Sequence, residues 1–199
     1  MTPPRAPEHT RQHILQVTAE ELRLHGYKDT SLSDILRKAE VSKGALYHHF
    51  DSKKTLAYAV FDEVFVNEFL ENWSMPFSSD EPMLALSDWM RQFSETICLE
   101  ELQVGCPVHN LAVEMSALDE GFRGKVIAMF KELERRMASA IDMAKEAGQV
   151  KDAVVAKDVA AFIIVMIQGA MNQGKYARDL DSFQASLRCL SEYIDNLRT

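Results

Sequence analysis

Glycine is scarce in this chain, with eight in 199 residues, and no stretch alternates apolar and polar residues as a half-buried strand does. Together these exclude a sheet-rich fold and favour an all-α one. Cysteine is scarcer still: Cys98, Cys106 and Cys189 form neither a paired framework nor a CxxC motif. They read as reduced thiols in a cytoplasmic compartment. The opening MTPPRAPEHT has no apolar core of the kind a secretory signal carries, so none is expected. The most apolar run, Val159 to Met171, falls short of the roughly 20 residues a membrane helix needs. No internal repeat or low-complexity tract is present. Metal-binding residues are also thin on the ground. Cys106 and His109 stand close in sequence, but a structural metal site needs at least three converging ligands. No nucleophile, base and orienting group share a helix, so an enzyme is not expected.

What is present is unevenly distributed. The chain carries a formal charge of -8, yet residues 1–58 sum to +2 and the remainder to -10. Five of the six histidines precede residue 50, and nine of the ten methionines follow residue 74. This division into a mildly basic, His-rich head and an acidic, Met-rich body points to a head that faces nucleic acid.

Helical periodicity runs through the head. Pro3, Pro4 and Pro7 mark an arm, and from Glu8 the residues Ile14, Leu15, Thr18 and Leu22 share one face until Gly26. Ser31 or Ser33 can cap a second helix carrying Leu32, Ile35, Leu36 and Ala39. Glu40-Val41-Ser42 then break the chain before a short third helix from Lys43 to about Phe50. Asp51 or Ser52 can cap a fourth, reaching about Trp73. Ser74 to Pro82 reads as a loop. Further helices are expected over about 82–100, 107–116, 119–147, 155–177 and 181–197, about nine in all.

The stretch VSKGALYHHF, residues 41–50, carries the chemistry. Two helices joined by a tight turn form a helix-turn-helix, whose second helix lies in the DNA major groove. Val41, Leu46 and Phe50 anchor that helix to the head. Gly44 lets the backbone approach DNA closely. Lys43, Tyr47, His48 and Lys53 are assigned mainly to phosphates, while Ser42, Ala45 and His49 are candidates for base edges.

Over residues 11–58 the pattern resembles the TetR family of bacterial transcription regulators. It is carried by Ile14-Leu15, Leu22, Gly26-Tyr27, Thr30, Ile35, Ala39, Val41-Ser42, Gly44, Leu46-Tyr47, His49-Phe50, Lys53 and Leu56. Glu21, where an apolar residue is common, and Leu24, where charge is common, depart from it. The resemblance implies a three-helix DNA-binding head (residues 8–52) and a larger helical body for ligand binding and dimerisation (residues 53–199). It also implies that Thr30, Ser42, Lys43, Tyr47, His48 and Lys53 contact a near-palindromic operator. The expected function is a repressor released when a small molecule or thiol-reactive effector pivots the fourth helix. An effector-independent DNA-binding protein or an activator are the alternatives.

In the body, Trp89, Met90, Phe93, Ile97, Val113, Met129, Phe162, Met166 and Asn172 are candidates for a pocket wall, with ordinary core filling as the alternative. The segment GCPVHN resembles one TetR subgroup in which Gly-Cys leads an inner helix and Asn follows four residues later, here Gly105, Cys106 and Asn110. A thiol at a helix start can have a lowered pKa. Cys106 is therefore either a sensor, assisted by Lys175 if the two meet, or a buried wall. His109 either hydrogen-bonds a ligand or packs. Dimerisation is assigned to the last two helices, pairing the stretch DVAAFIIVMIQGAM and its small Gly169, Ala170 and Gly174 with Phe183, Leu187, Leu190, Tyr193, Ile194 and Leu197.

Overall fold

A computed structural model describes residues 7–199. Pro3 and Pro4 lie outside the described residues. All regular secondary structure among the described residues is helical, apart from one isolated bridge between Val150 and Arg198. It forms two compact units. One gathers the described residues up to Phe69 together with Pro107–Val126, and the other gathers Leu70–Cys106 and Ile127–Thr199.

In the first unit, α1 (Pro7–Asp29) buries Ile14, Leu15, Thr18 and Leu22 on one face, as their spacing predicts. Gly26 interrupts the helix at φ 72° and ψ −179°, a conformation essentially confined to glycine. Helix α2 (Leu32–Ala39) is capped by Ser31, whose hydroxyl accepts from the Asp34 amide at 3.1 Å. It closes on Glu40 in the left-handed region, φ 52°. Ser42 caps α3 (Lys43–His49) and Ser52 caps α4 (Lys53–Val60), each accepting an amide at 3.1 Å. Ser31 and Ser52 are each one of the two cap candidates the sequence offers, and Ser42 caps from the end of the expected break.

A π-turn over Phe61–Phe65 joins α4 to α5 (Val66–Asn72). Phe61, Val64 and Phe65 are buried there. The remaining part of this unit is α9 (Pro107–Met115) and the start of α10 (Glu120–Glu146). Phe122 is fully buried, edge-on to Phe61 with ring centroids 4.7 Å apart.

In the second unit, the expected loop at 74–82 contains one helical turn, α6 (Ser74–Phe77). The helix expected over 82–100 ends early, as α7 (Pro82–Thr96). Ile97 is extended and Cys98 starts a new helix, α8 (Leu99–Val104), because the Glu101 side chain accepts the Cys98 amide at 3.0 Å. Helices α11 (Ala156–Ala177) and α12 (Leu180–Asn196) complete it.

Helix α12 packs chiefly on α7. Phe183, Leu187, Leu190 and Ile194, expected to pair across a dimer, are instead core residues of this unit, all at 3% exposure or less. Their period is right for a buried face, but period alone does not say which partner covers it. Gly174 is likewise used internally: a Cβ there would stand 2.8 Å from the buried Leu102 side chain, so α11 and α8 need its absence. The face of α11 left exposed carries Phe162, Val165, Met166, Gly169 and Tyr176. No helix among the described residues is long and apolar enough to cross a membrane.

Candidate nucleic-acid interface

Helix α3 divides by burial. Leu46 is fully buried and Phe50 nearly so, which fixes the helix on the head. Ser42, Lys43, Gly44, Tyr47 and His48 are exposed, and Ala45 and His49 are half-buried. One continuous face therefore offers a hydroxyl, an ammonium, a phenol and an imidazole around a bare glycine. The Lys43 ammonium lies 5.8 Å from the centre of the Tyr47 ring. His48 and His49 meet edge-on with centroids 5.0 Å apart. A Cβ on Gly44 would meet only the Ser42 hydroxyl, at 3.9 Å, so the protein itself leaves that space open.

Two of the residues expected to contact DNA make bonds within the head. Thr30 is 2% exposed and its hydroxyl donates to the Gly26 carbonyl at 2.6 Å. Its side chain is spent on the turn, which leaves only its main chain for a phosphate. Lys53 is half-buried, lies 4.5 Å over the Tyr27 ring and donates to the Lys28 carbonyl at 3.3 Å. Burial lowers its pKa, against the opposing charges of Glu114 and Asp29. It braces the head as it stands.

The surrounding ion pairs explain the departures in α1. Glu21 is 4% exposed and pairs with Lys38 of α2, so a carboxylate at a usually apolar position is neutralised where it is buried. Leu24, 58% exposed, is an isolated surface residue. Arg11 forms a fork with Glu63 while lying 5.3 Å over the Phe50 ring. That hydrogen bonding raises the Arg11 pKa and lowers that of Glu63.

Two acidic residues missed in the sequence hold α9 and the start of α10 on the head. Glu114 accepts the Tyr27 amide at 2.7 Å and the Lys28 amide at 2.5 Å. Asp119 accepts from Lys54, from the Tyr58 hydroxyl and from the Phe122 amide at 3.0 Å. The Lys54 and Tyr58 contacts, then the Phe122 amide, hold the Asp119 carboxyl well below the usual carboxylate range. Asp119 was legible as a helix-start residue before Glu120. Glu114 had no local signal, since its partners lie 86 and 87 residues away.

The second unit holds an open cleft of about 490 Å³, lined by Phe93, Thr96, Ile97, Glu101, Val104, Gly105 and Met171. Phe93 and Ile97 are thus brought to it. Trp89 backs Phe93, with rings stacked at 5.6 Å, while Met90 and Met129 are buried core. Val113, Phe162, Met166 and Asn172 lie on exposed helix faces and are not among the residues that line this cleft. The helical period that marked them as inward applies to the opposite faces of α9 and α11. His109 and Asn110 are half-buried on α9. Cys106 is half-buried beside the cleft residue Gly105. The Lys175 ammonium donates to the Val104 carbonyl at 3.0 Å. Burial lowers the Lys175 pKa, and the charge of Cys106 acts in the opposite direction.

The family model for bacterial regulatory proteins of the tetR family matches residues 14–60, and the model for the tetracyclin repressor-like C-terminal domain matches residues 83–190. The chain belongs to the TetR family. A helix-turn-helix-type transcriptional regulator from the lacX 3′ region of Lactococcus lactis subsp. lactis is 32% identical, covering 94% of each chain. The transcriptional repressor DhaR of Mycobacterium sp. (strain GP1) is 28% identical, over 92% of this chain and 91% of its own. The crystal structure of a TetR regulatory protein from Rhodobacter sphaeroides superposes with a TM-score of 0.78 at 25% identity, over 92% of this chain and 97% of that one.

TetR-family proteins are transcription regulators and not enzymes. They bind operator DNA and act as dimers. The TetR N-terminal match spans α2, the turn and α3, and so includes the whole exposed face described above.

Proposed function

We propose that this TetR-family regulator is a repressor whose DNA-binding domain comprises residues 8–52 and whose body, residues 53–199, receives the effector and forms the homodimer. The observation that carries the DNA half is the sorting of α3, with Leu46 and Phe50 buried and Ser42, Lys43, Gly44, Tyr47 and His48 exposed. In a dimer, two such helices enter successive major grooves of a near-palindromic operator. Lys43, Tyr47 and His48 position the head on phosphates, and Ser42 and Ala45 read base edges. The dimer contact falls on the exposed apolar face of α11, with Phe162, Val165 and Met166, supported by Tyr193 of α12, whose ring meets Phe162 at 4.9 Å.

The effector is a small apolar or thiol-reactive molecule that enters the cleft beside Phe93, Ile97 and Met171. Cys106 is the thiol it meets. The thiolate is the nucleophilic form of a cysteine, and the Lys175 charge interacts with Cys106. With a maleimide, the thiolate sulfur adds to the carbon–carbon double bond and solvent supplies the proton. Treatment with N-ethylmaleimide is expected to weaken operator binding at least tenfold in the wild type and to leave Cys106→Ser bound. Exposed Cys98 and Cys189 react in both proteins and serve as the internal control. Equal release of Cys106→Ser would refute the assignment of the thiol.

A further inference from the structure

The turn that leads from α1 into the helix-turn-helix is tied from several directions. Thr30 holds the Gly26 carbonyl, and Lys53 holds the Lys28 carbonyl from α4. Glu114 takes the Tyr27 and Lys28 amides, one on each carboxylate oxygen, from α9. Ser31 begins α2 directly afterwards. The fit is close: a Cβ on Gly26 would stand 2.8 Å from Glu114 Oε2. Two amide donors meeting one carboxylate are charge-assisted bonds with a defined geometry. An acid at this point carries a cost for a DNA-binding head, since it sets negative charge on a unit that approaches phosphates.

We propose that Glu114 is a positioning residue for operator binding, locking the turn ahead of α2 so that the placement of the DNA-reading helices follows the placement of α9. The proposal rests on the DNA-binding reading above.

The direction of the effect separates positioning from simple charge. Glu114→Gln removes one negative charge, and electrostatics alone would then tighten DNA binding. Positioning predicts the opposite. Glutamine has one acceptor oxygen, and its amide donors would confront the second N–H. The contacts made once DNA is bound stay the same, so the salt dependence should not change.

The test uses the full chain and a duplex selected by the wild-type protein from a randomised pool. Glu114→Gln is expected to bind it at least tenfold more weakly, with wild-type helix content and an unaltered salt slope. Amide exchange at Tyr27 and Lys28 should quicken by a similar factor. Glu114→Asp, which keeps the charge but draws the oxygens back by one methylene, should fall between the two. Faster exchange with unchanged affinity would reduce Glu114 to a local cap, and tighter binding would make it a bystander charge; either overturns the proposal. A wild type that selects no duplex would defeat the DNA-binding reading itself. A wild type that binds while Glu114→Gln binds equally well defeats this inference alone.

Discussion

Gly44→Leu is expected to abolish operator binding in a protein that folds at least as well as the wild type. Gly44 sits in the exposed first turn of α3, and a Cβ there meets nothing closer than 3.9 Å. The protein therefore has no internal need for glycine at this position. Glycine in a helix costs about 1 kcal/mol relative to good helix formers, so leucine should raise stability by roughly that amount. On the proposed reading the need comes from the DNA. A helix laid in a major groove brings its N-terminal residues to the base edges, and a four-carbon side chain at the point of closest approach holds the backbone off. Binding should fall by about 100-fold or more, which corresponds to roughly 2.7 kcal/mol. Thermal unfolding and a duplex titration on the same preparation give both numbers. Raised stability with near-normal affinity would mean that this face of α3 is not the one that meets DNA.

Phe122→Ala should produce the largest loss of stability. Phe122 is fully buried, with the Phe61 ring edge-on at 4.7 Å and the Tyr58 ring tilted at 5.8 Å. It is the apolar half of the attachment that Asp119 makes with polar bonds to Lys54 and Tyr58. Truncating a buried phenylalanine costs about 3–5 kcal/mol through lost transfer energy and the cavity left behind. A urea titration followed by circular dichroism should show the midpoint displaced accordingly. Operator binding should weaken as well, because α4 and the start of α10 lose their common packing. A midpoint equal to that of the wild type would show that the site collapses to fill the space, and that this aromatic cluster does not hold the segment in place.

The parts of the structure that were legible in the sequence are those fixed by neighbours in the chain. Ser31, Ser42 and Ser52 cap helices because a hydroxyl three residues ahead of an amide can satisfy it locally. Leu46 and Phe50 are buried because they share a face four residues apart. The illegible parts depend on distant partners. Glu114 looks like any surface acid of a helix, and only the fold brings it to Tyr27. Thr30 looks like an exposed donor until its hydroxyl is seen on Gly26. Phe183 and Leu187 have the same spacing whether they cover α7 or a second copy of the chain. Cys106 and Lys175 lie 69 residues apart, so their spacing in the sequence could pair them only on the condition that the fold brought them together.

The central claim is that α3 of each of two protomers reads the major groove. Methylation interference on the selected duplex tests it most directly. Dimethyl sulfate marks guanine N7 in the major groove and adenine N3 in the minor groove, which are separate hydrogen-bonding positions. The account predicts that methylated guanines block binding in two symmetric patches, centred about one helical turn or a multiple of it apart. Interference confined to adenine N3, or to a single patch without a symmetric mate, would contradict it.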